Sequence, residues 1–582
     1  MLEHAAQSAN VKNYTIVRAT GTHGDIFAAA GLADLLEKAS HDGEVRIVDR
    51  GYAFEISTPD NLALDQIPSD PGYPYIKTEN EDTSQFPNVV DYKAESGKAK
   101  RYNEYQSSSS KKRKNAGPEI QEQLRQDEPR PDWPLIQALK KLQGFKTTNG
   151  VYRYIVKRRK ELFLEVKGAL NSLANFSPSG LKWGASLVQL FTPNAAKGYA
   201  RLKPDSTDRN DDSKEKWIDS FIEWLRYRGY FVVACPRFHK KDVRLLCPMP
   251  KDIEINAFRE VVGELRQIRI VGGPTKVDIH AALKLAELLI RHSKEFYDKQ
   301  TPCLPFLSLL NKSPADVISG ISVTNYQSMG QANAVTAIFT VALPGWFKLT
   351  KPDDAQVFLN ILDEHWRCVS SLNDDHSDEV ALLVEYRRFL EARGSHSLPI
   401  FVDFMCRYGA LVLRAREQGR KLPQFTTTNF ERLVMNNEPK WHQIVQDPGF
   451  QAVARAIRNA TVKAQWLKAN NRDHREIHYD LIPELLRKSA LPGNEFFIQA
   501  LSNFICSYNR ENARLRELKK PAHRDVTTEE LEAMIKLIED DGAATVGPLL
   551  CAYATCREPK EKDPELEARE VESETPEAEE EE

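Results

Sequence analysis

Cations at short intervals, in a segment that Pro and Gly keep out of regular structure, are what a chain needs to grip a phosphate backbone. The stretch QLFTPNAAKGYARLKPDS, beginning at Gln189, has that make-up. Pro193, Gly198 and Pro204 interrupt it, Lys197, Arg201 and Lys203 supply charge, and Asn194 supplies an amide able to donate and accept at a base edge. Gly198 leaves room for close backbone approach. KWIDSFIEWLRYRG follows and reads as a helix: Trp217, Phe221, Trp224 and Leu225 share one face, with Gly229 placed as its C-terminal stop. YFVVACPRF and VRLLCPMP then read as two extended runs, joined by the connector HKKD, which bears Lys240 and Lys241 and is preceded by Arg237. A basic loop and a basic hairpin tip joined by one amphipathic helix make a cradle for phosphates. The same residues also suit a solvated loop and an ordinary polar turn.

Two further stretches concentrate positive charge. VYRYIVKRRKELFLEVKGALNSLA reads as one helix, with Ile155, Leu162, Val166, Leu170 and Leu173 on its apolar face and Arg153, Lys157, Lys160 and Lys167 opposite. Arg158 and Arg159 widen the basic stripe, which fits nucleic-acid contact and also fits the wet side of a helix. Near the end of the chain, Phe497, Leu501, Phe504, Ile505 and Tyr508 mark the buried face of a long helix whose last turns carry Arg510, Arg514 and Arg516.

No constellation for catalysis accompanies these cations. GTHGD, with His23 and Asp25, precedes a helix whose N-terminal NH groups suit phosphate, yet the GxGxxG fingerprint and a Walker lysine are missing. Asp25 reads more simply as an N-terminal helix residue facing the dipole. A metal-dependent nuclease or nucleotidyltransferase built on His23 and Asp25 is the alternative, but such an enzyme needs several converging carboxylates and GTHGD supplies one. There is no GxSxG elbow. The eight cysteines form no CxxC pair, and Cys235, His239 and Cys247 lack a fourth ligand. His474 and His478 have an i, i+4 spacing within a polar stretch. The expectation is therefore no catalytic residue, no metal and no cofactor.

The elements that must position the cations fall into two regions. Up to about residue 350 the pattern is α+β with mixed or antiparallel strands: a strand, the GTHGD turn, an Ala-rich helix, then VRIVDR and YAFEIS as adjacent strands. Residues 77–132, rich in Glu, Lys, Ser and Asn and including SSSSKKRKN, read as a disordered insertion. Residues 351–556 are almost continuously helical in pattern and read as an all-α helical bundle. Residues 557–582 read as a disordered acidic tail: they hold 13 acidic and 4 basic side chains, so the formal charge of −3 divides into −9 there and +6 before it. A basic body suits a nucleic-acid partner. No apolar run reaches the ~18 residues of a membrane span, and MLEHAAQSANVKNY lacks the make-up of a secretory signal, which points to the cytoplasm.

Taken together, several stretches resemble the large subunit of type I CRISPR surveillance complexes (Cascade), nearest the group labelled the MYXAN subtype. The resemblance rests on GDIFAAAGLADLL, TPNAAKGYARLKPD, the strand ending in PMP, VALPGWFKL, EYRRFL with FVDFMCRYG, and EFFIQALSNFICSYNRENAR. It covers scattered blocks between Asn13 and Arg516, and none of them is a catalytic signature. It implies a non-catalytic scaffold that recognises the protospacer-adjacent motif of double-stranded target DNA, stabilises the opened strands of the R-loop and helps recruit a helicase–nuclease in trans. Its partners would be crRNA and the other Cascade subunits, with no membrane. It also implies a C-terminal helical domain resembling a small subunit, and it carries Asn194, Lys197, Gly198, Arg201 and Lys203 as nucleic-acid contacts.

Overall fold

The computed structural model describes residues 11–40, 44–59, 62, 70–106, 118–185, 187–193, 219–239, 241–296, 307–330, 333–469 and 476–558. It forms two compact units, Met1–Ala355 and Gln356–Glu582. The first unit is α+β with antiparallel sheets and the second is mostly helical, as the pattern of apolar residues indicates.

The first unit opens in the order expected, with β1 (Val11–Val17), α1 (His23–Ala39), β2 (Arg46–Asp49) and β3 (Ala53–Pro59). β1 and β2 both pair antiparallel with β3, and β2 also pairs with a later strand, giving a four-stranded sheet. The Thr22 hydroxyl caps α1 by accepting from the Gly24 NH. Nearly every residue of α1 is buried, because its run of Ala and Gly lets other elements approach on all sides.

Residues 77–132 depart from the disordered insertion expected of their composition. The described part holds β5 (Val89–Asp91), parallel to β4 (Tyr75–Lys77), followed by α2 (Tyr92–Gln106) and α3 (Pro118–Asp127). Arg101 on α2 donates to Asp127 on α3 at 2.9 Å, and the Tyr92 ring lies 5.2 Å from Trp133. Composition misled here because few apolar anchors suffice when helices dock on an existing body. The SSSSKKRKN run lies outside the described residues.

α4 (Trp133–Lys141), α5 (Phe145–Lys157) and α6 (Arg159–Ala174) come next. The single helix expected from residue 151 is thus two, broken at Arg158, whose φ of −108° and ψ of 27° leave the helical region. The apolar face is nonetheless the one expected: Ile155, Leu162, Val166, Leu170 and Leu173 are all buried.

α7 (Ser220–Val233) runs through Gly229 rather than stopping there, so YFVV belongs to the helix and the strand starts only at Cys235. Trp217 lies outside the described residues. Gly229 serves a crossing: a Cβ there would sit 1.8 Å from the Phe27 carbonyl oxygen, and one on Gly31 would sit 1.9 Å from that of Leu225. α1 and α7 therefore touch backbone to backbone.

The second sheet has the order β10-β9-β7-β6, all antiparallel, from β6 (Cys235–His239), β7 (Asp242–Pro250), β9 (Ile318–Ser328) and β10 (Asn333–Ala342). β8 (Asp252–Glu254) follows β7 after Lys251 alone and closes the edge of the first sheet beside β2, so the two sheets join at that residue. α8 (Ile255–Gln267), α9 (Pro274–Arg291) and α10 (Pro314–Val317) lie between β8 and β9 in the chain.

In the second unit the described helices run to Thr555, and Phe389, Phe401, Phe404 and Phe425 pack with His365 into an aromatic core. The long helix Glu495–Glu517 buries the five residues read from its sequence, together with Asn512 and Leu515. Arg557 and Glu558, expected to begin a disordered tail, are tied to this unit. The Arg557 NH donates to the Phe425 carbonyl at 2.7 Å, and Glu558 meets the buried Arg458 at 2.6 Å. Residues 559–582 lie outside the described residues.

Candidate nucleic-acid interface

Because β7 pairs with β9 and sets Val243 opposite Tyr326, the β6–β7 and β9–β10 turns lie at one end of the second sheet. The segment entering the basic loop is fastened there. Tyr326 donates through its hydroxyl to the Gln189 carbonyl at 3.1 Å, and Gln189 donates through Nε2 to the Asn333 carbonyl at 2.9 Å. The loop residues Asn194, Lys197, Gly198, Arg201 and Lys203 lie outside the described residues, as does Lys240 of the turn.

A cavity of about 520 Å³ opens at this end of the sheet. Arg237 lies within β6, on the extended run read from the sequence and ahead of the turn, directly opposite Arg244 on β7. Like charges set opposite each other across a sheet repel, so each requires its own compensation. Arg244 finds it in Asp278 on α9, in a two-pronged ion pair with the Nε bond at 2.8 Å, and also donates to Asn325 Oδ1 at 2.7 Å. Among the described residues Arg237 finds carbonyl oxygens, Leu265 at 2.8 Å and Arg266 at 3.4 Å, at the end of α8. Burial holds its pKa below the ordinary arginine value. Arg266 in turn donates to the carbonyls of Phe231, Val232 and Ala234 at the end of α7. Arg269 is exposed on the loop after α8 and lines the cavity, as does the exposed His239.

Arg237, Arg266 and Arg269 thus have no carboxylate partner among the described residues, and guanidiniums bonded to carbonyls keep their full charge. One acid lines the same cavity, Asp242, which accepts from the Ser328 NH at 3.0 Å. Gly273 caps α9 without a side-chain bond, and Gly272 (φ 139°) and Pro274 bring that helix start to the cavity rim. Lys241 is exposed at the turn. The local field favours an anion.

The other expected contacts are elsewhere, and none lines this cavity. Arg153 pairs with Glu81 at 3.2 Å and lies over the Tyr75 ring, and Arg158 is held by Glu161 and Glu165, so one acid distant in sequence and two close by interrupt the basic stripe. Lys157 is exposed, and the side chain of Lys160 lies outside the described residues. In the second unit Arg510 is exposed, whereas Arg514 pairs with Glu511 at 2.6 Å. Arg266 and Arg269 were missed in the sequence. Their signal is RQIRIVGGP, cations entering a Gly-Gly-Pro break, in which short spacing without acids marks a basic loop.

GTHGD forms a strut. His23 is fully buried, with Nδ1 3.0 Å from Thr324 Oγ1 and Nε2 2.8 Å from the Leu190 carbonyl, and burial lowers its pKa to about 4. Asp25 accepts from the Thr20 and Gly21 NH groups and lies 3.8 Å from Arg226, while burial raises its pKa. Both ring nitrogens of His23 are engaged by its own chain, which ties α1 to the sheet and to the base of the basic loop. Among the described residues no group of three His, Cys, Asp or Glu side chains is placed to hold a metal, and no helix is long and apolar enough to cross a membrane.

No protein-family model matches the chain, and no curated protein matches it in sequence.

Proposed function

We propose that this chain is a non-catalytic large subunit of a crRNA-guided type I CRISPR effector complex, acting in the cytoplasm. In this role it contacts the protospacer-adjacent motif of double-stranded target DNA, stabilises the opened strands and helps recruit a helicase–nuclease, with crRNA and other Cascade subunits as partners. The observation that carries the nucleic-acid part of the reading is the cavity wall at the end of the second sheet. There Arg237 and Arg269 line the cavity with charge that no described carboxylate neutralises, beside the base of the basic loop. The specific complex rests on the resemblance of the quoted stretches.

The test incubates the purified full chain with labelled duplex DNA, with and without magnesium or manganese, across several salt concentrations. Binding that weakens steeply with salt, on DNA left intact, is the expected result, since phosphate contacts release counterions. Sustained strand cleavage that co-purifies with the chain would contradict a non-catalytic role.

A further inference from the structure

We propose that the cavity at the end of the second sheet takes one nucleotide unit, its phosphate on Arg269 and its base against the apolar wall and the side-chain amides. The inference deepens the nucleic-acid reading above and rests on it. A volume of about 520 Å³ lies within the ~300–1,000 Å³ of small-ligand sites and is too small for a stack of paired bases. The unit it admits must therefore be free, or turned out of its stack.

The lining separates into the three surfaces that a nucleotide presents. A phosphate needs a cation that can move to it, and Arg269 is exposed at the rim with no carboxylate partner among the described residues. A base face needs apolar contact, which Val243, Val277 and Val271 provide; Val271 is 65% exposed, an aliphatic side chain left in water at the cavity mouth. A base edge needs groups that donate and accept. Asn325 and Gln327 lie two residues apart on β9 and both line the cavity. Asn325 is fixed by the bond that its Oδ1 accepts from Arg244, which leaves its NH₂ to donate, and the exposed Gln327 offers both functions. A bare phosphate would use the cation and neither of the other surfaces.

The experiment follows fluorescence anisotropy of a labelled oligo(dT) of about ten nucleotides on the full chain, with nucleoside monophosphates or inorganic phosphate as competitors at equal ionic strength, and duplex binding in parallel. Arg269→Ala and Val271→Trp, both at exposed positions, should each weaken single-strand binding about tenfold, while Gln327→Ala shifts which monophosphate competes best. Monophosphates should compete where inorganic phosphate does not. Monophosphate binding, followed directly with a fluorescent nucleoside monophosphate, without oligonucleotide binding supports the cavity with a free nucleotide as occupant; oligonucleotide binding that monophosphates displace supports it with a strand. Equal competition by phosphate, or unchanged binding in Val271→Trp, overturns the proposal. If the wild type binds duplex but neither single strand nor monophosphate, the cavity proposal falls and the nucleic-acid reading stands; if it binds nothing, both fall.

Discussion

A guanidinium that donates to carbonyl oxygens stabilises a helix end without losing its charge, and Arg237 and Arg266 both work in this way. Arg237→Gln should therefore cost stability, about 1 to 3 kcal/mol by denaturant unfolding, since two buried carbonyls lose a charged donor. From sequence Arg237 could be placed on its strand but not given its partners, since the carbonyls it caps belong to a helix nearly thirty residues away. Acid sensitivity also belongs to single residues. Burial lowers the pKa of His23 to about 4 and those of His280 and His365 to about 3, below the ~6.5 of an unfolded histidine. Below pH ~6.5 the unfolded chain binds protons that the folded chain refuses, so stability present at neutral pH is lost as pH falls toward 4. Each such histidine contributes a slope of up to about 1.4 kcal/mol per pH unit. His365→Phe should flatten this acid limb in urea unfolding measured from pH 7 to 4, and an unchanged slope would refute the account of that residue.

At the scale of elements, the crossing of α1 and α7 organises the first unit, and it depends on two glycines that a side chain would force apart. Gly229→Ala should destabilise by about 3 kcal/mol or more, because the obstructing atom is backbone and cannot rotate away. If Gly229 merely ended a helix, the same substitution would cost only about 1 kcal/mol. A glycine within an apolar helical pattern supports either reading, and only the facing Gly31, far away in sequence, decides between them. The apolar faces of α5, α6 and the helix Glu495–Glu517 were legible because each is set by periodicity within one segment. The cavity was not, since its walls come from β6, β7, β9, β10, the loop after α8 and the start of α9, which only the tertiary fold brings together.

For the whole molecule, the division of charge into +6 and −9 makes the acidic end a competitor for any phosphate-binding surface. Two truncations separate its charge from its packing. Removing residues 559–582 and removing residues 557–582 delete the same net −9, but only the second breaks the backbone bonds of Arg557 and the Glu558–Arg458 pair. Both should strengthen DNA binding at low salt, while only the longer deletion should lower stability, by about 1 to 3 kcal/mol. The central claim is that uncompensated cations at the end of the second sheet bind nucleic acid. It is tested most directly by the slope of log affinity against log salt for duplex DNA, in the wild type and in Arg269→Ala/Lys241→Ala. The account predicts a steep negative slope that the double substitution makes shallower by about 1 to 2, with weaker binding at every salt concentration. Identical slopes and affinities in the two proteins would contradict it.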